Sequence, residues 1–231
     1  MRIFQAHGYD VQAPDLLPSV KGLADTSLED YQRQIQQHVS AINSPKIIIG
    51  ASLGGLLALI NADHADAIIL INPMPPAPWH AQMPEREYYP PVIPWQSRGS
   101  LRGTHRSLVD CDAVTCLYAF RHWRDESGAA MNTAVAGVDI IRPNCPVLVI
   151  GSEQDKDVPF SVSKNLAKSL NAAFINLPES SHVGPLLGKA ARRCALDSVA
   201  FLNDIFYQAL IQEYLISSAV LSTSRQPGAW S

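Results

Sequence analysis

Cysteine is scarce and scattered in this chain of 231 residues: the four, at 111, 116, 145 and 194, form no CxxC pair and no dense framework. That spacing excludes a disulfide-stapled scaffold and fits reduced thiols in a cytoplasmic protein. Clusters of lysine or arginine are missing too, and the formal net charge is −3. Neither nucleic acid nor an anionic membrane surface is therefore expected as the main partner. Met1 to Gly8 reaches polar residues before any apolar stretch of useful length, so no secretory signal is read there. The longest apolar run, Ile47 to Ile60, is interrupted by glycines and Ser52 and is too short to span a bilayer. No membrane insertion is expected. The chain has no phosphate loop of the G-x-x-x-x-G-K form, no internal repeat and no heptads. What is present is a 47% hydrophobic composition and a length sufficient for one large core with an insertion.

The most informative stretch is Gly50-Ala51-Ser52-Leu53-Gly54, a G-x-S-x-G run between the apolar Lys46-Ile47-Ile48-Ile49 and Gly55-Leu56-Leu57-Ala58-Leu59-Ile60. It reads as strand, sharp turn and helix. Such a turn holds its serine at strained backbone angles, and side chains at the flanking glycines would collide with neighbouring segments. The helix that follows carries almost no charge before Asp63 and must be buried. Its N-terminus turns free amides and the positive end of its dipole toward Ser52. In this context the sequence resembles the α/β-hydrolase fold family, whose nucleophile elbow has this pattern.

Two further segments carry the resemblance. Cys145 to Ile150 is an apolar strand that ends in Gly151-Ser152-Glu153-Gln154-Asp155-Lys156-Asp157-Val158-Pro159, similar to the family's acid turn. Asp155 matches the acid there, with Glu153 and Asp157 as the alternative candidates in the same loop. Ala172 to Leu177 is the last strand, followed by Pro178-Glu179-Ser180-Ser181-His182. His182 lies 27 residues beyond Asp155, on the loop where the family places its base. The resemblance thus implies Ser52 as nucleophile, His182 as base, Asp155 as acid and the Leu53 amide as one oxyanion donor. No metal and no cofactor are called for, and the implied partner is a small-molecule acyl substrate.

Alternating strands and helices predict an α/β fold, a mostly parallel sheet flanked by helices with ligands bound at the carboxyl ends of its strands. Residues 1 to 8 are expected to form a helical turn, and Asp10-Val11-Gln12-Ala13 a short strand before the turn Pro14 to Pro18. In the family a strand, an oxyanion loop and a helix precede that phrase. Here the sheet is expected to be short at its N-terminal side, lacking those strands and that loop. His7-Gly8 runs straight into the Asp10 phrase and reads as the closing turn of a helix rather than as the oxyanion loop. Thr26-Ser27-Leu28-Glu29-Asp30 is a helix-start signature, and Leu28, Tyr31, Ile35, Val39 and Ile42 then recur at helical spacing, with that face laid on the sheet.

Beyond Asn72 the texture changes: prolines crowd residues 73 to 95 together with Trp79, Tyr88, Tyr89 and Trp95, and Leu101 to Trp123 reads as one helix. The expected organisation is a first part of the core at 1–72, a lid at 73–137, a second part at 138–216 and a mobile tail at 217–231. His105, Cys111, Cys116 and His122 in the lid invite a zinc reading. On one helix, however, Cys111 and His122 stand about 16 Å apart and Cys116 faces elsewhere, so they cannot converge without a break. Residues 192 to 216 read as a long helix covering one sheet face.

The function implied is a serine hydrolase that cleaves a carboxylic ester or thioester of a small to medium acyl group through an acyl-enzyme. Lipase-like hydrolysis, carbon–carbon bond hydrolysis and acyl transfer share the same triad. The alternative is a non-catalytic or impaired member of the fold that binds a ligand or partner, motivated by the missing oxyanion strand.

Overall fold

The computed structural model describes residues 1–223; residues 224–231, most of the expected mobile tail, lie outside the described residues. In chain order the elements are α1 (Arg2–Ala6), α2 (Leu28–Ser40), β1 (Ile47–Ala51), α3 (Leu53–Ile60), β2 (Ala67–Ile71), β3 (Val92–Ile93), α4 (Leu101–Ser107) and α5 (Ala113–His122). There follow β4 (Glu126–Ser127), α6 (Gly128–Ala136), β5 (Val147–Ser152), α7 (Phe160–Leu170), β6 (Ala173–Leu177), α8 (Gly184–Leu187) and α9 (Ala191–Thr223).

Four strands form one parallel sheet in the order β1-β2-β5-β6. Their lengths and registers align the carboxyl ends, with Ala51 opposite Ile71 and Ser152 opposite Leu177. Strand alternation then sorts the core into two layers. Ile68 and Leu70 of β2, with Val147 and Val149 of β5, face α3 and α7 through Ala58, Leu59 and Leu166. Ala67, Ile69, Ile71, Leu148 and Ile150 face the other way, onto Cys194 and Leu202 of α9 and the half-buried Phe4 of α1. β2 and β5 are buried along their whole length, as strands covered on both faces must be. The pair β3–β4 is antiparallel and belongs to the long connection between β2 and β5.

Several expectations need correction. Asp10 to Ala13 adopts no strand. A strand exists only in a ladder, and this segment pairs with none of the four strands of the sheet, which ends at β1. The α2 helix begins at the expected place, with a reciprocal capping box between Ser27 and Asp30. Its apolar face rests principally on α3 and α6 rather than on the sheet, through Leu28, Tyr31, Leu56, Leu57, Ala130 and Ala134. The single helix expected over 101–123 is two. Asp112 accepts from the Thr115 amide at 2.7 Å and starts a new helix, α5, five residues after α4 ends. Finally, α9 continues past 216 to Thr223, taking in part of the expected tail.

All four thiols are free. Among the described residues one helical stretch, Ala191–Gln212, is long and apolar enough to cross a membrane. Within it Cys194 and Leu202 are buried against the sheet, while Tyr207 and Leu210 are exposed.

Candidate active site

The aligned strand ends place three loops side by side: Ser52 directly after β1, Asp155 after β5 and His182 after β6. Ser52 has φ 53° and ψ −120°, a conformation disfavoured for any residue with a Cβ. It persists because the backbone is held from several sides. The Ser52 amide donates to Ile71 O at 3.0 Å, and its carbonyl accepts from Gly55 at 2.9 Å and from Met74 at 2.9 Å. The hydroxyl does not cap α3.

Glycine serves the turn at two places, only one of which belongs to the flanks of the motif. A Cβ on Gly50 would lie 2.0 Å from Gly54 O, and one on Gly55 would lie 2.6 Å from Pro73 Cβ. A Cβ on Gly54 would meet nothing within 4 Å, contrary to the expected collision at both flanks. Leu53 opens α3, so its amide has no intrahelical acceptor, and among the described residues no hydrogen bond takes it.

His182 and Asp155 are joined directly, Nδ1 to Oδ2, at 2.7 Å. The other oxygen of Asp155 accepts from the amides of Asp157 at 2.7 Å and Val158 at 2.9 Å. These bonds aim the carboxylate, whose side chain is only 1% exposed. Asp155, Asp157 and His182 also bring one ligand atom each within 4.8 Å of one another, the spacing a metal ion would need. Asp155 already spends both oxygens on protein donors. The cluster is therefore satisfied as a hydrogen-bonded acid–imidazole pair. His105, Cys111, Cys116 and His122 do not form such a group, even with the helix broken between α4 and α5.

Burial is the largest influence on His182 and disfavours its charged form. The hydrogen bond and charge of Asp155, with Asp157 adding, outweigh burial and the opposing charge of Arg86, so the imidazole pKa is raised above its ordinary 6.5. Ser52 and His182 line one cavity of about 620 Å³. No hydrogen bond joins the two side chains.

Asn72, which sequence reasoning passed over, sits between the two halves of the site. It follows β2 at φ 42° and is 1% exposed. Its Nδ2 donates to His182 O at 2.8 Å and Ser152 Oγ at 3.0 Å, and its Oδ1 accepts from Ser152 N at 2.9 Å. The signal was present: an asparagine between an apolar strand and a proline suits a left-handed turn.

A family model described as "Alpha/beta hydrolase family" matches residues 2–195. The chain belongs to the α/β-hydrolase family. Among solved structures, a pyrethroid hydrolase from Sphingobium faniae is similar at TM-score 0.65 and 20% identity, covering 88% of this chain and 89% of its own. Polyneuridine aldehyde esterase is similar at TM-score 0.64 and 15% identity, with 86% and 91% covered. A methylesterase from Arabidopsis follows at TM-score 0.61 and 15% identity, with 87% and 91% covered. At these identities the likeness concerns the fold. No curated protein sequence matches the chain.

Proposed function

We propose that this α/β-hydrolase is a serine hydrolase acting on carboxylic esters or thioesters. The observation that carries the reading is the 2.7 Å bond between His182 and Asp155, set on the same cavity as a serine held at φ 53°. His182 takes the Ser52 proton as Oγ attacks the substrate carbonyl, and Asp155 orients the imidazole and stabilises its cation. The tetrahedral oxyanion accepts the free Leu53 amide at the start of α3. Collapse expels the alcohol or thiol, which takes the proton from His182, and leaves an acyl-serine. Water, deprotonated by His182, then releases the acid.

We read residues 73–137 as a lid over this site. The segment supplies much of the cavity wall, including Tyr89, Trp95, Trp123 and Met131. At about 620 Å³ the cavity is in the range of drug-sized ligand sites, and its aromatic and thioether wall suits an acyl or alcohol group that is largely apolar. Known proteins with a similar fold include esterases, lipolytic enzymes and a pyrethroid hydrolase, in keeping with such substrates. A panel of nitrophenyl and thioester substrates of increasing chain length tests the reading. Turnover by the wild type, absent in Ser52→Ala, is expected; equal turnover by the two would overturn it.

A binding role in place of catalysis draws on one observation, the open outer edge of β1, where Ile49 is 43% exposed. A second oxyanion donor would be expected beside that edge, and losing one donor costs on the order of 3 kcal/mol of transition-state stabilisation. The same assay separates the two readings.

A further inference from the structure

His182 stands on a loop between β6 and α8 that no strand ladder supports, so its position depends on side chains from elsewhere. Asn72 takes the carbonyl of His182, and more distantly that of Ser181 at 3.5 Å. The opposite edge of the loop is held by Asp110, from the turn between α4 and α5. One Asp110 oxygen accepts from the Ser181 hydroxyl and from the Ser181 amide at 3.3 Å, and the other faces Ser180 Oγ at 3.5 Å. Backbone bonds run beside it, from Val183 N to Ser107 O at 3.2 Å and from Lys189 N to Asp110 O at 3.2 Å.

The surroundings are cut to fit this carboxylate. A Cβ on Gly184 would lie 2.3 Å from Asp110 Oδ2, and a Cβ on Gly188 would lie 2.4 Å from the same atom. Neither glycine has a positive φ, so glycine at both places leaves room for close neighbours, Asp110 the nearest at each and Ser180 Oγ next at Gly184. We propose that Asp110 is a positioning residue for the catalytic base, through which the segment between β2 and β5 fixes His182 against Asp155 and toward Ser52. The proposal rests on the reading of Ser52, His182 and Asp155 as the triad.

The assignment differs from a merely structural clamp in what it predicts for kinetics. Asp110 is absent from the cavity wall, so its loss leaves substrate binding in place. Displacement of the imidazole by as little as 1 Å lowers turnover on the order of 10²-fold. As the bond to Asp155 loosens, burial prevails and the pH midpoint of kcat/KM moves down.

The test compares wild type, Asp110→Ala, Asp110→Asn and Gly184→Ala for the rate of Ser52 modification by a fluorophosphonate, for kcat and KM on a nitrophenyl ester, and for the pH profile. Asp110→Ala is expected to react much more slowly, to lower kcat with KM little changed, and to shift the midpoint. Asp110→Asn, which keeps one acceptor for Ser181, is expected to recover part of the loss. Gly184→Ala, whose methyl would crowd Asp110 Oδ2 at 2.3 Å and Ser180 Oγ at 2.4 Å while the carboxylate remains in the chain, is expected to reproduce the defect. If Asp110→Ala does not fold, the other two variants decide. A folded variant with wild-type rate and pH profile, or one changed only in KM, would overturn the proposal while leaving the triad intact. A wild type that is not modified at Ser52 would instead overturn the triad and this proposal with it.

Discussion

The two halves of the site are built differently. The proposed acid and base stand beyond the inner strand β5 and its neighbour β6, tied together by side chains that come from distant parts of the chain: Asp155 bonds His182, while Asn72 and Asp110 bond the loop around it. The proposed nucleophile, Ser52, directly follows β1, a terminal strand with one open side, and is held by backbone geometry instead. Its strain is supported by bonds to the neighbouring Ile71 and Met74 and by the close approach of Gly50 to Gly54. One half is secured by long-range hydrogen bonds, the other by a short sequence motif. The comparison explains why a five-residue pattern is enough to find a serine, whereas the support of a histidine is spread over the fold.

The sharpest way to break the comparison is within the acid turn. Asp155→Asn keeps the shape but removes the charge and the correct imidazole tautomer. Steady-state turnover is expected to fall on the order of 10⁴-fold, as the loss of a triad acid does elsewhere. Asp157→Asn, which removes a charge near but not on the imidazole, is expected to cost far less. Equal losses would mean that the acid has been misassigned.

Asn72→Ala is next in size. It would leave the Ser152 amide and the His182 carbonyl without partners in a buried place, at a cost of about 2–4 kcal/mol in stability measured by denaturant unfolding. It should also lower turnover, because the His182 loop loses its tie. A loss confined to stability would show that the loop holds its shape unaided.

The pH dependence follows from the raised His182 pKa. As general base the imidazole must be neutral, so kcat/KM is expected to rise with pH through a midpoint above 6.5. Asp157→Asn should lower that midpoint and Arg86→Ala should raise it, since the first removes a supporting charge and the second an opposing one. Stability has the opposite sense. A group with a raised folded pKa contributes stability that is complete below the unfolded value and is lost as pH rises through the folded one. Acidification through that window therefore costs activity while His182 favours the folded state.

The smallest effect is at the scaffold. Ser27→Ala removes half of the capping box of α2 and is expected to cost about 1 kcal/mol in thermal or denaturant unfolding, with turnover unchanged.

What could be read from the sequence follows the same division. Ser52, Asp155 and His182 each lie within a few residues of a strand that the sequence pattern marks, so local pattern singled them out as candidates. The Ser27–Asp30 box likewise lies within one turn of helix. Asn72 and Asp110 act over separations of about 70 to 110 residues, and nothing in their immediate neighbours announces the partner. Asp10 to Ala13 has the look of a strand but no neighbour to pair with. The division between α4 and α5 was legible in Asp112 and Thr115, a capping pair hidden within an apparently helical stretch.

The central claim, an assembled triad on Ser52, is tested most directly by treating the protein with a fluorophosphonate and locating the adduct by peptide mass spectrometry. The account predicts one adduct, on Ser52, lost in His182→Ala with the fold preserved by circular dichroism. A folded wild-type protein that forms no adduct, or one equally modified when His182 is removed, would contradict it.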